Sequence, residues 1–395
     1  MKKTKQTGAP TEDRDEVLAD RMVELALDLR ESGIYAVLPD ALQKAQAELR
    51  KTIRKCLQQH REQALDEALE RSFDEDAQAW NVLREHAEEM SGTVLLHRDG
   101  TELEINAFVV PFFVHTTGGL RSEQCFQDEQ AFEQLRASFQ EDGLESRKSN
   151  VVLVSYAYHL DEIERIGYCQ LNAMVHEAHE AMTRKKTTSA DALARSMHGW
   201  PPSSFAPEDS AMELRFLLGF ALKTMDDPFY HVPQKEAAAD RYFEARAERF
   251  RNWSQKIVPV LKRCLVTDGR DVQIDFLYQD LFHGGKEAAV RELDMLSLLS
   301  DVRQSMEENG IAPDAVRAIV GPTEADDGAV VRVGLYAGSN EVGSVDKVLH
   351  RAETVEAAMA DISDALVGVG VGEVQLAKKF DTDGAPIGTR PYSRR

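Results

Sequence analysis

The sequence predicts an α/β (or α+β) protein: a helical N-terminal region, a region of alternating strands and helices, and a C-terminal β-hairpin and helix. Three observations carry that expectation. Apolar residues recur at helical spacing over residues 14–92. From residue 93 the period changes, and runs of β-branched and aromatic residues are bounded by turn signals. Those runs alternate with amphipathic segments on both sides of a Pro/Ser-rich break, which predicts two halves of similar strand–helix–strand–helix order.

Residues 1–13 are polar and read as a disordered tail. Asp13 with Glu16 three positions on is a capping signature, and Leu18, Met22, Leu25 and Leu29 follow as one stripe before Gly33. Pro39 opens a second helix carrying Leu42, Ala45, Leu49, Ile53 and Cys56, and Trp80, Leu83, Ala87 and Met90 mark a third. Asp99-Gly100 between two apolar runs is a hairpin signal, so residues 93–198 begin the first α/β half. Within it lie a strand over 103–114, a helix over 129–142, a strand over 150–158 and a helix over 161–183. The break at 199–211 reads as a linker, and 212–350 as the second half, with strands over 213–223 and 272–278 and helices over 234–265 and 286–308. A hairpin over 329–350 follows, and residues 351–395 hold a final helix and a tail. The Gly-rich "VGVGVGE" (367–373) leaves a helix rather than opening one, the wrong context for a dinucleotide fingerprint.

With 43% apolar and 29% charged residues the chain reads as soluble and globular. Its formal net charge of −21 disfavours direct nucleic-acid binding, which rests on Lys and Arg neutralising phosphates. The longest apolar run, "AFVVPFFV" (107–114), is far short of the roughly 20 residues a membrane helix needs, so no membrane partner is expected. Cys56, Cys125, Cys169 and Cys264 are widely spaced with no CxxC, and read as free thiols of a reducing cytoplasm.

The segment order carries a resemblance. "ESG" (31–33) closes a helix, and "FDEDAQAWNVL" (73–83) precedes the first strand pair. "VVLVSYAYHLDEI" (151–163) forms a strand, and "RFRNWSQKIVPVLKRCL" (249–265) leads into "DVQIDFLYQDLF" (271–282). Together, over roughly residues 14–350, they resemble a bacterial family common in beta-proteobacteria and known only as a domain of unknown function. The resemblance implies an intracellular bacterial protein and brings no activity, cofactor or site residue.

Candidate chemistry begins with "MVHEAHEAM" (174–182), where His176, His179 and Glu180 could chelate a metal. A zincin places its histidines four apart, whereas these lie three apart with no third ligand nearby, so a solvated helix face is the better reading. Gly118 and Gly119 in "HTTGG", and Gly284 and Gly285 in "HGGK", follow strands and could present backbone N–H groups to an anion, although such pairs are usually turns. A candidate rim is less ordinary: His115, His159, His231 and His283 each follow a predicted strand, with Tyr158 and Asp280 close by. Were those strands parallel neighbours, their C-terminal ends would share one edge, where α/β proteins place ligands.

No catalytic signature survives this reading, and no cofactor is implied. The first expectation is a non-catalytic cytoplasmic protein that works by binding another protein, as a regulator or subunit of a complex. The alternative is a metal- or anion-dependent enzyme, such as a hydrolase, built on the histidine rim. The oligomeric state stays open.

Overall fold

The structure, a computed structural model, describes residues 11–34, 37–98, 100–116, 126–183, 212–267, 269–278, 280–323, 329–351 and 353–393. The chain divides into two compact units, residues 1–289 and 290–395. The predicted linker at 199–211 and most of the predicted tail lie outside the described residues.

Unit 1 opens with helices α1 (Thr11–Leu29), α2 (Asp40–Gln58), α3 (Glu62–Glu75) and α4 (Ala77–Gly92). Their apolar stripes meet: Met22, Leu25, Leu29, Leu49, Ile53, Leu65 and Leu83 are buried in one core. The Asp76 carboxylate starts α4 by accepting the backbone N–H groups of Gln78 and Ala79. Cys56, Cys169 and Cys264 are free and buried.

Next comes the sheet. β1 (Thr93–Arg98) and β2 (Thr101–Thr116) form the antiparallel hairpin the sequence predicts, and Gly100 at its turn has φ of 79°, which favours glycine. The far edge of β2 pairs antiparallel with β4 (Met212–Thr224), and β4 pairs antiparallel with β3 (Asn150–His159). Two short strands, β5 (Val272–Phe276) and β6 (Asp280–Leu281), continue the β1 edge of β2. Phe108, Val110, Phe112 and Val114 point to one face of β2, against Leu135 and Phe139 of α5 (Glu129–Glu141). Trp253 and Ile257 of α8 (Glu236–Cys264) complete that layer, and the Trp253 indole donates to Ser138 Oγ at 2.7 Å. Between β3 and the opposite-face helix lies the short α6 (Leu160–Glu164). That opposite face is covered by α7 (Tyr168–Thr183), through the buried Leu171, Val175 and Ala178.

Three sequence expectations change here. The two halves do not form separate repeats, because β4 lies between β2 and β3 in a single sheet. Buried on both faces, β2 needs a neighbour on each edge, and the chain beyond the break supplies one. The strands of this sheet are antiparallel, not parallel. The predicted helix over 161–183 splits into α6 and α7, because Glu62 of α3 caps the start of α7. Its carboxylate accepts the backbone N–H of Tyr168 at 2.6 Å and of Cys169 at 2.7 Å. A Cβ at Gly167 would come within 2.5 Å of that carboxylate.

α9 (Phe282–Glu308) begins in unit 1 and ends in unit 2. In unit 2 the sheet order is β11-β10-β7-β8-β9, made by β7 (Arg317–Thr323), β8 (Val330–Ala337), β9 (Asn340–Val348), β10 (Glu373–Leu376) and β11 (Arg390–Pro391). Only its β7–β10 pairing is parallel among the described residues. Leu298, Val302 and Met306 of α9, with Ile362 and Leu366 of α10 (Val355–Gly368), cover one face. Residues 351–395, read from sequence as helix and tail, thus contribute strands to this unit. No helix among the described residues is long and apolar enough to cross a membrane.

Candidate functional site

The strand-end histidines do not share a centre. β2 and β3 flank the antiparallel β4, so His115 and His159 lie at the same end of the sheet, opposite Met212 and Arg215 of β4. His115 Nε2 is 3.1 Å from Asp275 of β5. His231 follows the other end of β4, a strand of 13 residues, roughly 30 Å from Arg215 at about 3.3 Å per residue. It is exposed, with Nε2 3.2 Å from the Met225 carbonyl oxygen. His283 follows β6 and sits in the first turn of α9, its Nε2 3.2 Å from Ser91 Oγ and its ring stacked on Tyr168 at 5.4 Å. Gly284 and Gly285 also fall inside α9 rather than in a loop, while Gly118 and Gly119 lie outside the described residues. Asp280 is in β6, paired with Val109. On α7, His176 and Glu180 are exposed and His179 is half-buried. Among the described residues no three His, Cys, Asp or Glu side chains come together as a metal site.

His159 and Tyr158 belong to a buried polar network. Arg215 on β4 is 0% exposed, and its Nε and Nη2 donate to Glu213 Oε2 at 3.1 and 2.7 Å. Its Nη1 donates to the Ala157 carbonyl at 3.2 Å. Glu213 and Arg215 are two apart on one strand, so both side chains emerge on the same face. The Glu162 carboxylate accepts the Tyr156 hydroxyl and the His159 backbone N–H, each at 2.8 Å. Tyr156 meets Tyr158 edge-on at 4.7 Å. Burial, helped by the Arg215 cation, pushes the His159 imidazole down to about 2, so it is neutral at ordinary pH.

A second assembly faces outwards. After β4, Asp227 accepts the Phe229 N–H at 3.0 Å and the Ser146 hydroxyl at 2.6 Å, fixing a turn that presents Phe229 and Tyr230. The first half of α8 lies beside it. Tyr242 donates its hydroxyl to the Phe229 carbonyl at 3.0 Å, and Arg246 Nη1 donates to the Tyr242 hydroxyl at 3.2 Å. The Arg246 and Arg249 guanidinium carbons lie 5.9 and 5.7 Å from the centre of the Phe229 ring. Tyr278 packs on Phe250 at 5.4 Å and lines the same pocket as Arg246. A cavity of about 10 Å³ opens between Arg246, Arg249, Tyr278, Phe250, Leu144 and Gly143. Among the described residues neither arginine has a carboxylate partner, and Arg249 Nε is buried without a hydrogen bond. Phe243, one turn before Arg246, is 52% exposed.

The sequence profile of one family spans residues 8–383, nearly the whole chain. The chain belongs to the family described as "Protein of unknown function (DUF2863)". No curated protein and no solved structure matches it. DUF2863 membership accords with the resemblance in segment order and adds no chemistry to the site.

One further cluster of this DUF2863 protein involves His283. Arg84 Nη1 bridges Glu88 at 3.3 Å and Glu287 at 2.6 Å, and its guanidinium lies 5.0 Å from the Trp80 ring centre. Burial raises the Glu88 carboxyl to about 7, against the Arg84 cation that favours its ionisation. Burial also pushes the His283 imidazole down to about 3, with Lys286 and Arg84 adding to it. Helical spacing alone singles out neither Arg246 nor Arg249. The signal was present in "RYFEARAERF" (241–250), where arginines three apart sit among aromatic residues at helical spacing.

Proposed function

We propose that this protein is a non-catalytic cytoplasmic binding protein, a regulator or subunit of a complex, and that it holds its protein partner through the face around Arg246 and Arg249. One observation carries the proposal: two arginines without acidic partners are held among Phe229, Tyr242 and Tyr278, beside an exposed Phe243. Arginine and aromatic residues supply most of the binding energy at protein interfaces, because they bury large areas at low entropic cost. Here the hydroxyl of Tyr242 ties Arg246 to the Phe229 turn, so part of the ordering cost of binding is met before a partner arrives. Buried free thiols accord with a reducing compartment. The net charge of −21 argues against RNA or DNA as the direct partner.

The test is purification of the tagged full-length chain from its native cell, beside Phe243→Ala and Arg246→Ala variants that melt as the wild type does. One protein should follow the wild type through gel filtration at a fixed ratio and be lost from both variants. A wild-type chain that elutes alone would refute the proposal, as would variants that keep the same partner at the same ratio.

A further inference from the structure

We infer that the face formed by Arg246 and Arg249 takes a carboxylate, and that the partner therefore presents an acidic peptide segment, one Asp or Glu side chain set against the guanidinium groups. This rests on the protein-binding reading and adds the partner's chemistry to it.

The sequence withholds an internal counter-ion from both arginines. On a helix, an acidic residue three or four positions away is the usual partner, as Glu133 is for Arg136 and Glu307 for Arg303. Around Arg246 those positions hold Tyr242, Phe243, Arg249 and Phe250; around Arg249 they hold Ala245, Arg246, Asn252 and Trp253. The chain has 68 acidic residues against 47 basic ones, so acids were not scarce. Of the acids nearby, Glu145 accepts from the Tyr230 hydroxyl and Asp227 from Ser146, while Asp142 pairs with Lys256 through Oδ1 and keeps a buried Oδ2 without a hydrogen bond.

Two like charges three apart repel, and an anion between them removes that repulsion. The donors also suit a carboxylate. Both guanidinium groups carry N–H donors in a planar fork that matches the two oxygens of a carboxylate. The adjoining cavity of about 10 Å³ holds about one water-sized group, so a nucleobase cannot enter it and a carboxylate would sit at its mouth. Beyond the anion, Phe243 and Phe229 offer apolar contact to the residues that flank it on an extended peptide.

The experiment uses the full chain and fluorescence polarisation with three labelled probes: an octapeptide alternating Glu and Leu, its counterpart alternating Gln and Leu, and an oligo-uridine. The Glu–Leu peptide should bind, the Gln–Leu peptide should not, and both Arg246→Ala and Arg249→Ala should weaken binding by at least about tenfold. Arg249→Lys, which keeps the charge without the planar fork, should recover only part of it. Equal binding of the Glu and Gln peptides overturns the inference. So does indifference to both arginine substitutions, preference for oligo-uridine, or inorganic phosphate displacing the peptide more effectively than free glutamate. The two readings separate through the native partner. If co-purification is lost with Phe243→Ala but kept with Arg249→Ala, the interface stands and the carboxylate pocket falls.

Discussion

Arg215 and the Arg246–Arg249 pair belong to the same unit, and each lies among tyrosines, yet their charges are handled in opposite ways. Arg215 is wholly buried and receives Glu213 from its own strand, two residues back, plus the Ala157 carbonyl. The α8 arginines are half-buried and receive aromatic rings and hydroxyls instead of carboxylates. A cation that the core must enclose needs its counter-ion at once, because its desolvation cost falls on folding itself. A cation at the surface can wait for a counter-ion from elsewhere. The pairing of a charge thus separates architecture from interface more sharply than its residue type does.

The largest expected effect is on the paired side. Glu213→Ala leaves the Arg215 guanidinium buried without its carboxylate, and should cost about 3–5 kcal/mol in urea unfolding. Replacing both residues, Glu213→Leu with Arg215→Met, should cost clearly less than the single change, since the buried cation is removed together with its carboxylate. If the single substitution proves nearly silent, the pair is not structural and the contrast with α8 collapses.

Acid should act on the buried side as well. His159 has a folded-state value of about 2 and His283 of about 3, both below the ordinary 6.5, so each contributes stability that is complete above pH 6.5. That stability is lost as pH falls below 6.5, because the unfolded chain takes up protons the folded one refuses. Glu88 works the other way. Its value of about 7, above the ordinary 4.5, means that folding is favoured below pH 4.5 and loses stability as pH rises to 7. Between pH 4.5 and 6.5 two histidines oppose one glutamate, leaving from these groups a net gain of stability on raising pH. Melting curves from pH 5 to 6 should show it, and His159→Phe should flatten the slope. An unchanged slope in that variant would place His159 outside the buried network.

How much of this was legible in sequence follows the range of the forces involved. The stripes of α1, α2 and α4 and the Asp99-Gly100 hairpin are local, and Met22, Leu49, Leu83 and β1–β2 fall where the pattern puts them. α3 was missed because much of its buried stripe is made of small residues, Ala64, Ala68 and Ser72. The start of α9 was misplaced because His283, Gly284 and Gly285 read as a turn, whereas tertiary contact holds them helical and buries Gly285. Strand order is not local at all. No periodicity in β4 states that it lies between β2 and β3, and the parallel rim drawn from strand–helix alternation followed from that missing order. The Arg246–Arg249 face escaped for another reason: charged residues on a helix read as a solvated surface until the turn at Phe229 is seen to fold back on them.

The smallest expected effect is the most discriminating. Arg249→Ala removes the contact with the Phe229 ring, worth about 0.5–1 kcal/mol where exposed, and relieves the repulsion from Arg246. The two changes offset one another. Net stability should therefore move by no more than about 0.5 kcal/mol, as at a surface position without a structural role. Arg246→Ala should behave similarly apart from its bond to the Tyr242 hydroxyl, which ties α8 to the Phe229 turn, so a slightly larger loss is expected there. Denaturant midpoints of both variants, measured beside Glu213→Ala, compare the two ways of holding a guanidinium within one unit. Should Arg249→Ala cost as much as Glu213→Ala, its charge is already satisfied by the fold, and a binding face at α8 loses its physical basis.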